Sequence, residues 1–184
     1  MDNILYQNKY RIKSTRLKHW DYSSDGIYYV TICTKNRESF FGNVINGQSK
    51  LSIIGEVVSN EWVKTEQIRK YVQLDEWVVM PNHFHGIVII QNNETNSIIR
   101  RDVARNVSTE MSQISPQSNS LSSIIRSFKS AVSNRCHKYG FHNFAWQPRY
   151  YEHIIRNEKE LNRIRKYIKN NLLQWDLDRE NMKN

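Results

Sequence analysis

The hydrophobic pattern in the first half of the chain predicts a strand followed by a helix. After Gly26, residues 27–34 are mostly β-branched or aromatic, which is typical of a strand in the middle of a sheet. Polar residues and glycines then predict a loop, with a short hairpin around Asn46-Gly47. From about residue 52 to 71 the apolar residues recur with a helical period. Those on one side of this helix are Ile54, Val57, Val58, Trp62 and Ile68.

Further strands and helices follow in the second half. Apolar runs over about 72–80 and 84–91 flank a Pro-Asn pair and predict two neighbouring strands. A second amphipathic helix comes next, then a short strand candidate at 144–146, and a last helix from about 158 to 173. The buried stripes of these two helices are Leu121, Ile124, Ile125, Phe128 and Val132, and Leu161, Ile164, Ile168 and Leu172.

This order of elements predicts an α+β fold. Strand, helix, strand, strand, helix, strand is the order of a ferredoxin-like βαββαβ sandwich, and the last helix is an addition at its C-terminal end. The two helices of such a sandwich cover one face of the sheet. A length of 184 residues fits a single domain over residues 1–184.

Positive charge is the main feature of the composition. Lys and Arg outnumber Asp and Glu by 27 to 18, which gives a formal net charge of +9. Such an excess favours a polyanion as partner, nucleic acid before an anionic membrane surface. No apolar run approaches the roughly 20 residues of a membrane helix, and the N-terminus does not read as a signal peptide. We therefore expect a cytoplasmic protein with no membrane partner, in which Cys33 and Cys136 are reduced.

Three polar segments lie outside the predicted elements. Residues 1–25 are basic and form either a solvated leader or an arm laid on a phosphate backbone. Residues 91–119 are rich in Ser, Asn and Gln, which predicts a flexible insertion. Residues 176–184 are a charged tail that we expect to fray.

Two histidines near the start of a strand are the strongest candidates for chemistry. Side chains alternate across a strand, so His83 and His85 point to the same face. Neutral imidazoles at this spacing can bind one divalent ion, although a bare His-x-His also occurs on half-exposed sheet surfaces. On the last helix, Tyr167 and Asn171 are one turn apart and share a face beside the buried stripe.

Three motifs occur in the order that a known family has them. Val-Met-Pro-Asn-His-Phe-His-Gly at 79–86 resembles the HUH motif (His, hydrophobic residue, His) of the single-tyrosine transposases. Trp-Gln-Pro-Arg-Tyr-Tyr-Glu-His at 146–153 and Tyr-Ile-Lys-Asn-Asn at 167–171 resemble the branch called REP-associated tyrosine transposases. Where that branch has a proline after the Asn, this chain has Leu172, a departure that bears on how the helix ends. The resemblance runs from about residue 26 to 173, without the polar insertion.

The resemblance implies a DNA strand transferase that depends on a divalent metal. Mg²⁺ or Mn²⁺ would be held by His83, His85 and the carboxamide oxygen of Asn171. Tyr167 would be the nucleophile and would form a 5′-phosphotyrosine, leaving a free 3′-OH, with Tyr150 as the runner-up. The family fold has its histidines on a central strand and its tyrosine on the last helix.

The implied partner is single-stranded or hairpin DNA, which the enzyme would cut and rejoin during DNA transposition and recombination. Candidate phosphate contacts, taken as a group, are Arg11, Arg16, Arg126, Lys129 and Arg149. Related transposases are often homodimers that exchange their tyrosine helices, whereas a monomer is expected for the REP-associated branch. Two other functions stay open: a non-catalytic nucleic-acid-binding module on a ferredoxin-like fold, and an HUH nickase of the replication-initiator type.

Overall fold

The computed structural model describes residues 20–91 and 118–177. Within these ranges, no helix is long and apolar enough to cross a membrane. Three parts of the sequence lie outside the described residues: residues 1–19 of the N-terminal arm, with Arg11 and Arg16, residues 92–117 of the polar insertion, and residues 178–184 of the tail.

Six strands and three α-helices form in the described residues. The strands are β1 (Gly26–Cys33), β2 (Gly42–Ile45), β3 (Gln48–Leu51), β4 (Val72–Val79), β5 (His83–Ile90) and β6 (Tyr151–Ile155). The helices are α1 (Ile53–Ile68), α2 (Leu121–Lys138) and α3 (Glu158–Asn170). Two short 3-10 helices are Lys35–Arg37 and Leu172–Leu177.

The main sheet has the strand order β4-β5-β1-β6, and all neighbouring strands are antiparallel. With α1 and α2 in the two crossovers, this is the ferredoxin-like arrangement that the sequence predicts. β1 is central, as expected, and has β5 on one side and β6 on the other. Its register places Thr31 opposite His85 and Tyr29 opposite His153.

Alternation along the strands separates two hydrophobic cores. α1 and α2 cover one face of the sheet, where Tyr28, Val30 and Phe84 belong to the larger core. α3 covers the opposite face over a smaller core. The residues of this smaller core are Tyr29, Ile87, Ile155, Leu161, Ile164 and Ile168. Since His83 and His85 alternate with Phe84, they face α3.

Short stretches of sequence determine the turn between β2 and β3 and the start of α3. β2 and β3 form the predicted hairpin, apart from the main sheet. Its turn residues Asn46 and Gly47 both have positive φ, 52° and 70°, which a two-residue type I′ turn requires. At the start of α3, Oδ1 of Asn157 accepts a hydrogen bond from the amide of Glu160 at 2.9 Å and caps the tyrosine helix.

The last strand lies later in the chain than the pattern indicates. The candidate at 144–146 contributes only an isolated bridge between Trp146 and Thr34, and β6 starts after it. The rings of Phe144 and Trp146 are 5.2 Å apart and pack into the larger core, so side-chain packing determines the path of this segment. Pro148 has no amide hydrogen and interrupts strand pairing before β6.

α1 packs through its predicted stripe except at its end. Ile68 was expected on the buried side, but it is 71% exposed because it lies in the last turn, past Thr65, where contact with the core ends. Trp62 is fully buried and its ring lies 4.5 Å from that of Phe84. A Cβ at Gly86 would come within 2.7 Å of the Trp62 ring, so glycine is required at this point of β5.

Candidate active site

The two histidines meet on the face of the sheet that α3 covers. His83 and His85 are 0% and 2% exposed, and their Nε2 atoms are 3.0 Å apart. Ligand atoms at neighbouring positions of an octahedral ion are also about 3 Å apart when each bond is about 2.1 Å. Two imidazole nitrogens that converge in this way can bind one divalent ion.

A chain of hydrogen bonds fixes the tautomer of His83. Nδ2 of Asn82 donates to the carbonyl oxygen of Arg37 at 3.1 Å, so Oδ1 of Asn82 faces the imidazole, 2.8 Å from Nδ1. Because an amide oxygen can only accept, Nδ1 of His83 carries the hydrogen and Nε2 keeps its lone pair. Burial, and then the charge of Arg37, lowers the pKa of His83 to about 3, so the ring is neutral.

Two hydroxyl groups hold the ring of His85. Its Nδ1 is 2.7 Å from the hydroxyl oxygen of Tyr29 and 2.9 Å from Oγ1 of Thr31. A hydroxyl can donate or accept, so either nitrogen of His85 can carry the hydrogen. With the hydrogen on Nδ1, the lone pair of Nε2 points toward His83. Burial raises the pKa of Tyr29 well above its usual range, so its phenol stays protonated.

Tyr167 lies against this assembly from the side of α3. Its ring is 5.5 Å from that of His85 and 6.3 Å from that of Tyr29, to which it is nearly perpendicular at 84°. A side-chain hydrogen bond also joins Tyr167 to Tyr29. Tyr167 is 45% exposed, so a side chain whose ring contacts the buried His85 is still open to a substrate.

Asn171 lies one turn beyond Tyr167, at the C-terminal cap of α3. It is 3% exposed, and its buried Oδ1 has no hydrogen-bond partner among the described residues. In the chain it stands between Tyr167, whose ring contacts His85, and Trp175, whose ring is 6.0 Å from that of His83. A buried oxygen without a partner costs free energy, which coordination of a cation would offset.

These side chains fit a divalent cation with mixed donors. Within residues 20–91 and 118–177, no three His, Cys, Asp or Glu side chains are grouped closely enough to hold a metal ion. The amide oxygen of Asn171, buried one turn beyond Tyr167, is the candidate for a third donor beside the two imidazole nitrogens. Oxygen donors suit Mg²⁺ and Mn²⁺, whereas imidazoles suit later transition metals, so a mixed set favours Mn²⁺ over Mg²⁺.

Two ion pairs dock α3 on β4. Nε of Arg165 lies 3.1 and 3.0 Å from the two carboxylate oxygens of Asp75, where the register of β4 shifts. Nζ of Lys169 lies 2.8 Å from the carboxylate of Glu76. Burial by itself would raise the pKa of Asp75, but hydrogen bonds from Arg165 and from the Glu76 amide hold that pKa below its ordinary value.

Three of the predicted phosphate contacts, Arg126, Lys129 and Arg149, lie in the described residues. Lys129 also forms hydrogen bonds within the protein. Arg126 and Arg149 are exposed. Nζ of Lys129 donates to the backbone oxygens of Gln147 and Arg149 at 2.7 and 3.0 Å, and burial lowers its pKa to about 8. Lys129 thus holds the Trp-Gln-Pro-Arg segment, in which Arg149 has a left-handed φ of 67°.

The two candidate nucleophiles have different surroundings. Tyr150 packs against the larger core, on the side of α1 and α2, whereas Tyr167 contacts His85. Four residues of the site have no assigned role in the sequence-based predictions: Tyr29, Thr31, Asn82 and Trp175. Tyr29 and Thr31 are two residues apart on a central strand, so the sequence indicates that they share a face. That they reach His85 follows only from the register of β1 against β5.

Comparisons with known proteins agree with this architecture. An uncharacterized protein of Haemophilus influenzae is 39% identical to this chain over 167 residues, which cover 90% of this chain and 91% of that protein. The solved structure of a REP-associated tyrosine transposase bound to a REP hairpin matches with a TM-score of 0.58 and 22% identity, over 89% of this chain and 74% of that one. No protein-family model matches the sequence. The chain therefore belongs to the same family as the H. influenzae protein, and it has the fold of that REP-associated tyrosine transposase.

Proposed function

We propose that this protein is a metal-dependent, single-tyrosine DNA transposase that cuts and rejoins single strands. The contact of Tyr167 with His85, whose Nε2 converges with that of His83, carries this proposal. A nucleophile beside a pair of metal ligands is what phosphodiester cleavage through a covalent intermediate requires. The shared fold with a REP-associated tyrosine transposase supports the same class of reaction.

The proposed substrate is single-stranded DNA that can form a hairpin. The transposase of the same fold is bound to a REP hairpin, and the net charge of +9 suits a polyanion. Arg126 and Arg149 are exposed, as phosphate contacts must be. Lys129 would act mainly by holding the segment that presents Arg149. Arg11 and Arg16 stay proposed phosphate contacts of the N-terminal arm.

His83, His85 and Asn171 would hold the divalent cation. When bound, the cation supplies positive charge that polarises the scissile phosphate. An imidazole that carries its hydrogen on Nδ1 offers its Nε2 lone pair to the cation, and Asn82 and the Tyr29 hydroxyl orient the two rings.

In the proposed step, the phenol oxygen of Tyr167 attacks the scissile phosphorus. The bond between this oxygen and phosphorus forms as the bond from phosphorus to the 3′ oxygen breaks, and the departing 3′ oxygen takes up a proton. The phenol proton leaves to water, which reaches the half-exposed side chain. In rejoining, a 3′-OH attacks the same phosphorus, and its bond to phosphorus forms as the bond from phosphorus to the Tyr167 oxygen breaks. The 3′-OH gives up its proton to water and the phenolate takes one up, so the strand is rejoined without ATP.

A covalent-adduct assay tests the proposal. The protein is incubated with Mg²⁺ or Mn²⁺ and with single-stranded oligonucleotides from the DNA that flanks its own gene, and peptides joined to DNA are identified by mass spectrometry. We expect an adduct on Tyr167 that is abolished by Tyr167→Phe and by His83→Ala. Tyr139→Phe is the matched control, because Tyr139 is also exposed, at 57%, but lies at the end of α2.

Other outcomes would replace parts of the proposal. An adduct on Tyr150 would keep the reaction and move the nucleophile. Tight hairpin binding with no adduct under either metal would favour a non-catalytic nucleic-acid-binding module. Cleavage that requires a helicase partner would favour a nickase of the replication-initiator type.

A further inference from the structure

Tyr29 contacts both His85 on β5 and Tyr167 on α3. Its ring stacks on that of His85 at a centroid distance of 5.5 Å and an interplanar angle of 25°. The rings of Tyr167 and Tyr151 approach it edge-on, each with its centroid 6.3 Å away. Tyr29 is 9% exposed, so packing fixes its position between the histidine strand and the tyrosine helix.

The hydrogen bonds of the Tyr29 hydroxyl have a defined direction when His85 is ready to bind a cation. Oγ1 of Thr31 donates to this hydroxyl at 3.2 Å, Nδ1 of His85 is 2.7 Å away, and a hydrogen bond joins it to Tyr167. If Nε2 of His85 offers its lone pair to a cation, Nδ1 must carry the hydrogen and can donate it to Tyr29. The single hydrogen of Tyr29 is then directed at the phenol oxygen of Tyr167.

We propose that Tyr29 is a positioning residue that couples the cation-binding tautomer of His85 to the orientation of the Tyr167 phenol. This inference rests on the proposed function and adds a residue to it. In the other tautomer, Nδ1 of His85 accepts a hydrogen from Tyr29 or from Thr31, and Tyr167 loses its donor whenever Tyr29 donates to Nδ1. The Tyr29 hydrogen is therefore reserved for the Tyr167 phenol only when the histidine is in its ligand form.

Two neighbouring tyrosines on β1 provide a matched pair of variants. Tyr29→Phe removes the hydroxyl and keeps the ring packing. Tyr28→Phe is the control, because Tyr28 is fully buried on the opposite face of the same strand. Its hydroxyl accepts a hydrogen bond from Nε1 of Trp20 at 3.1 Å and donates to the carbonyl oxygen of Ser24 at 3.3 Å. Each variant loses one hydroxyl, so a general loss of stability affects both.

The experiment measures three quantities for each variant: the rate of adduct formation on Tyr167 at saturating Mn²⁺, the Kd of the DNA-free protein for Mn²⁺ by electron paramagnetic resonance, and the Kd for hairpin DNA. We expect Tyr29→Phe to lower the adduct rate about 10- to 100-fold and to weaken Mn²⁺ binding about 10-fold, as for other outer-shell partners of metal ligands. Hairpin affinity stays unchanged, and Tyr28→Phe keeps wild-type values for all three. Replacing Tyr29 with para-aminophenylalanine restores a hydrogen-bond donor, so we expect most of the adduct rate to return. If Tyr29→Phe does not fold, this variant still tests whether a donor at position 29 sustains the adduct rate.

The three measurements distinguish a failure of this inference from a failure of the proposed function. If Tyr29→Phe matches Tyr28→Phe in rate and in Mn²⁺ affinity while the wild type forms the adduct, Tyr29 has no positioning role and the proposed function stands. A parallel loss of rate and of hairpin affinity would make Tyr29 a DNA-binding residue and would also overturn the inference. Absence of an adduct from the wild-type protein refutes the proposed function, and the inference with it.

Discussion

Arg165 donates to the carboxylate of Asp75 from Nε, whose hydrogen both oxygens share, and from Nη2, and this ion pair joins the tyrosine helix to the main sheet. The Asp75 side chain is 12% exposed and that of Arg165 is 35% exposed. Tyr167 is two residues further along the same helix. The ion pair therefore helps to set the position of the candidate nucleophile over His85.

Removing this ion pair should loosen α3. We expect Asp75→Asn to lower the free energy of unfolding by about 1–2 kcal/mol, because the partial exposure of Arg165 keeps the pair below the value of a fully buried one. Urea unfolding measures the change. Arg163→Gln is the control on the same helix, since Arg163 is 75% exposed and 3.5 Å from Glu160, and it should cost less than about 0.5 kcal/mol. Equal effects would mean that the apolar stripe alone docks α3.

The same pair predicts a pH dependence of stability. The pKa of Asp75 is lowered in the folded protein, so the unfolded chain binds this proton more tightly. The stabilisation is complete above the ordinary pKa and is lost as the pH falls through the folded-state pKa. We expect the stability gap between wild type and Asp75→Asn to be constant from about pH 7 to 5 and to shrink below about pH 4. Urea unfolding at a series of pH values checks this, and a gap that persists at low pH would contradict it.

Asn82 should control cation binding without touching the cation. Asn82→Ala removes the acceptor that keeps the hydrogen on Nδ1 of His83, while the backbone oxygen at this position still accepts from Thr34. We expect Mn²⁺ affinity to fall about 10- to 100-fold, measured by titration of the DNA-free protein. Asn43→Ala changes an exposed Asn on β2 and should leave the affinity unchanged. An unaltered Kd for Asn82→Ala would show that another group sets the His83 tautomer.

Two basic residues of α2 should behave differently. Lys129→Met leaves the backbone oxygens of Gln147 and Arg149 without this donor, so we expect a loss of about 1–2 kcal/mol in the free energy of unfolding. Arg126→Met should leave stability unchanged and reduce the slope of log affinity for hairpin DNA against log salt by about 1. Urea unfolding and fluorescence anisotropy at several salt concentrations separate the two roles. Matching salt slopes for Arg126→Met and the wild type would remove Arg126 from the phosphate contacts.

Gly86 should tolerate no side chain. Gly86→Ala would place a Cβ within 2.7 Å of the buried Trp62 ring, so we expect a loss of about 1–3 kcal/mol from overpacking. Ser130→Ala, at an exposed position of α2, is the control and should stay within about 0.5 kcal/mol of the wild type. Thermal unfolding followed by Trp fluorescence provides the measurement. A stable Gly86→Ala protein would mean that Trp62 can move aside.

Much of the fold follows from local patterns in the sequence. The periodicities over β1, α1, β4, β5 and α2 predict the ferredoxin-like order, and Asn46-Gly47 predicts the hairpin because few residues adopt positive φ. Period-2 alternation also suffices to place His83 and His85 on one face. These are properties of neighbouring residues, so no knowledge of the tertiary structure is needed to see them.

The parts that the sequence does not predict depend on contacts between distant segments. That Tyr29 and Thr31 reach His85 depends on the register of β1 against β5, which no single segment specifies. The Asp75–Arg165 pair joins residues 90 positions apart. The aromatic residues at 144–146 resemble a strand locally, but their rings are drawn into the core and the strand forms later.

The two halves of the proposed site rest on elements of unequal stability. The histidines lie on β5, which is paired on both sides within the main sheet. Tyr167 lies on a helix at the surface of the sheet, held by the buried residues Leu161, Ile164 and Ile168 and by ion pairs of its half-exposed side chains with β4 and β6. Segments with few buried contacts open at a lower free energy than central strands. Detachment of α3 would therefore move Tyr167 away from His85 while the histidines stay in place, so the proposed nucleophile can be withdrawn without unfolding the sheet.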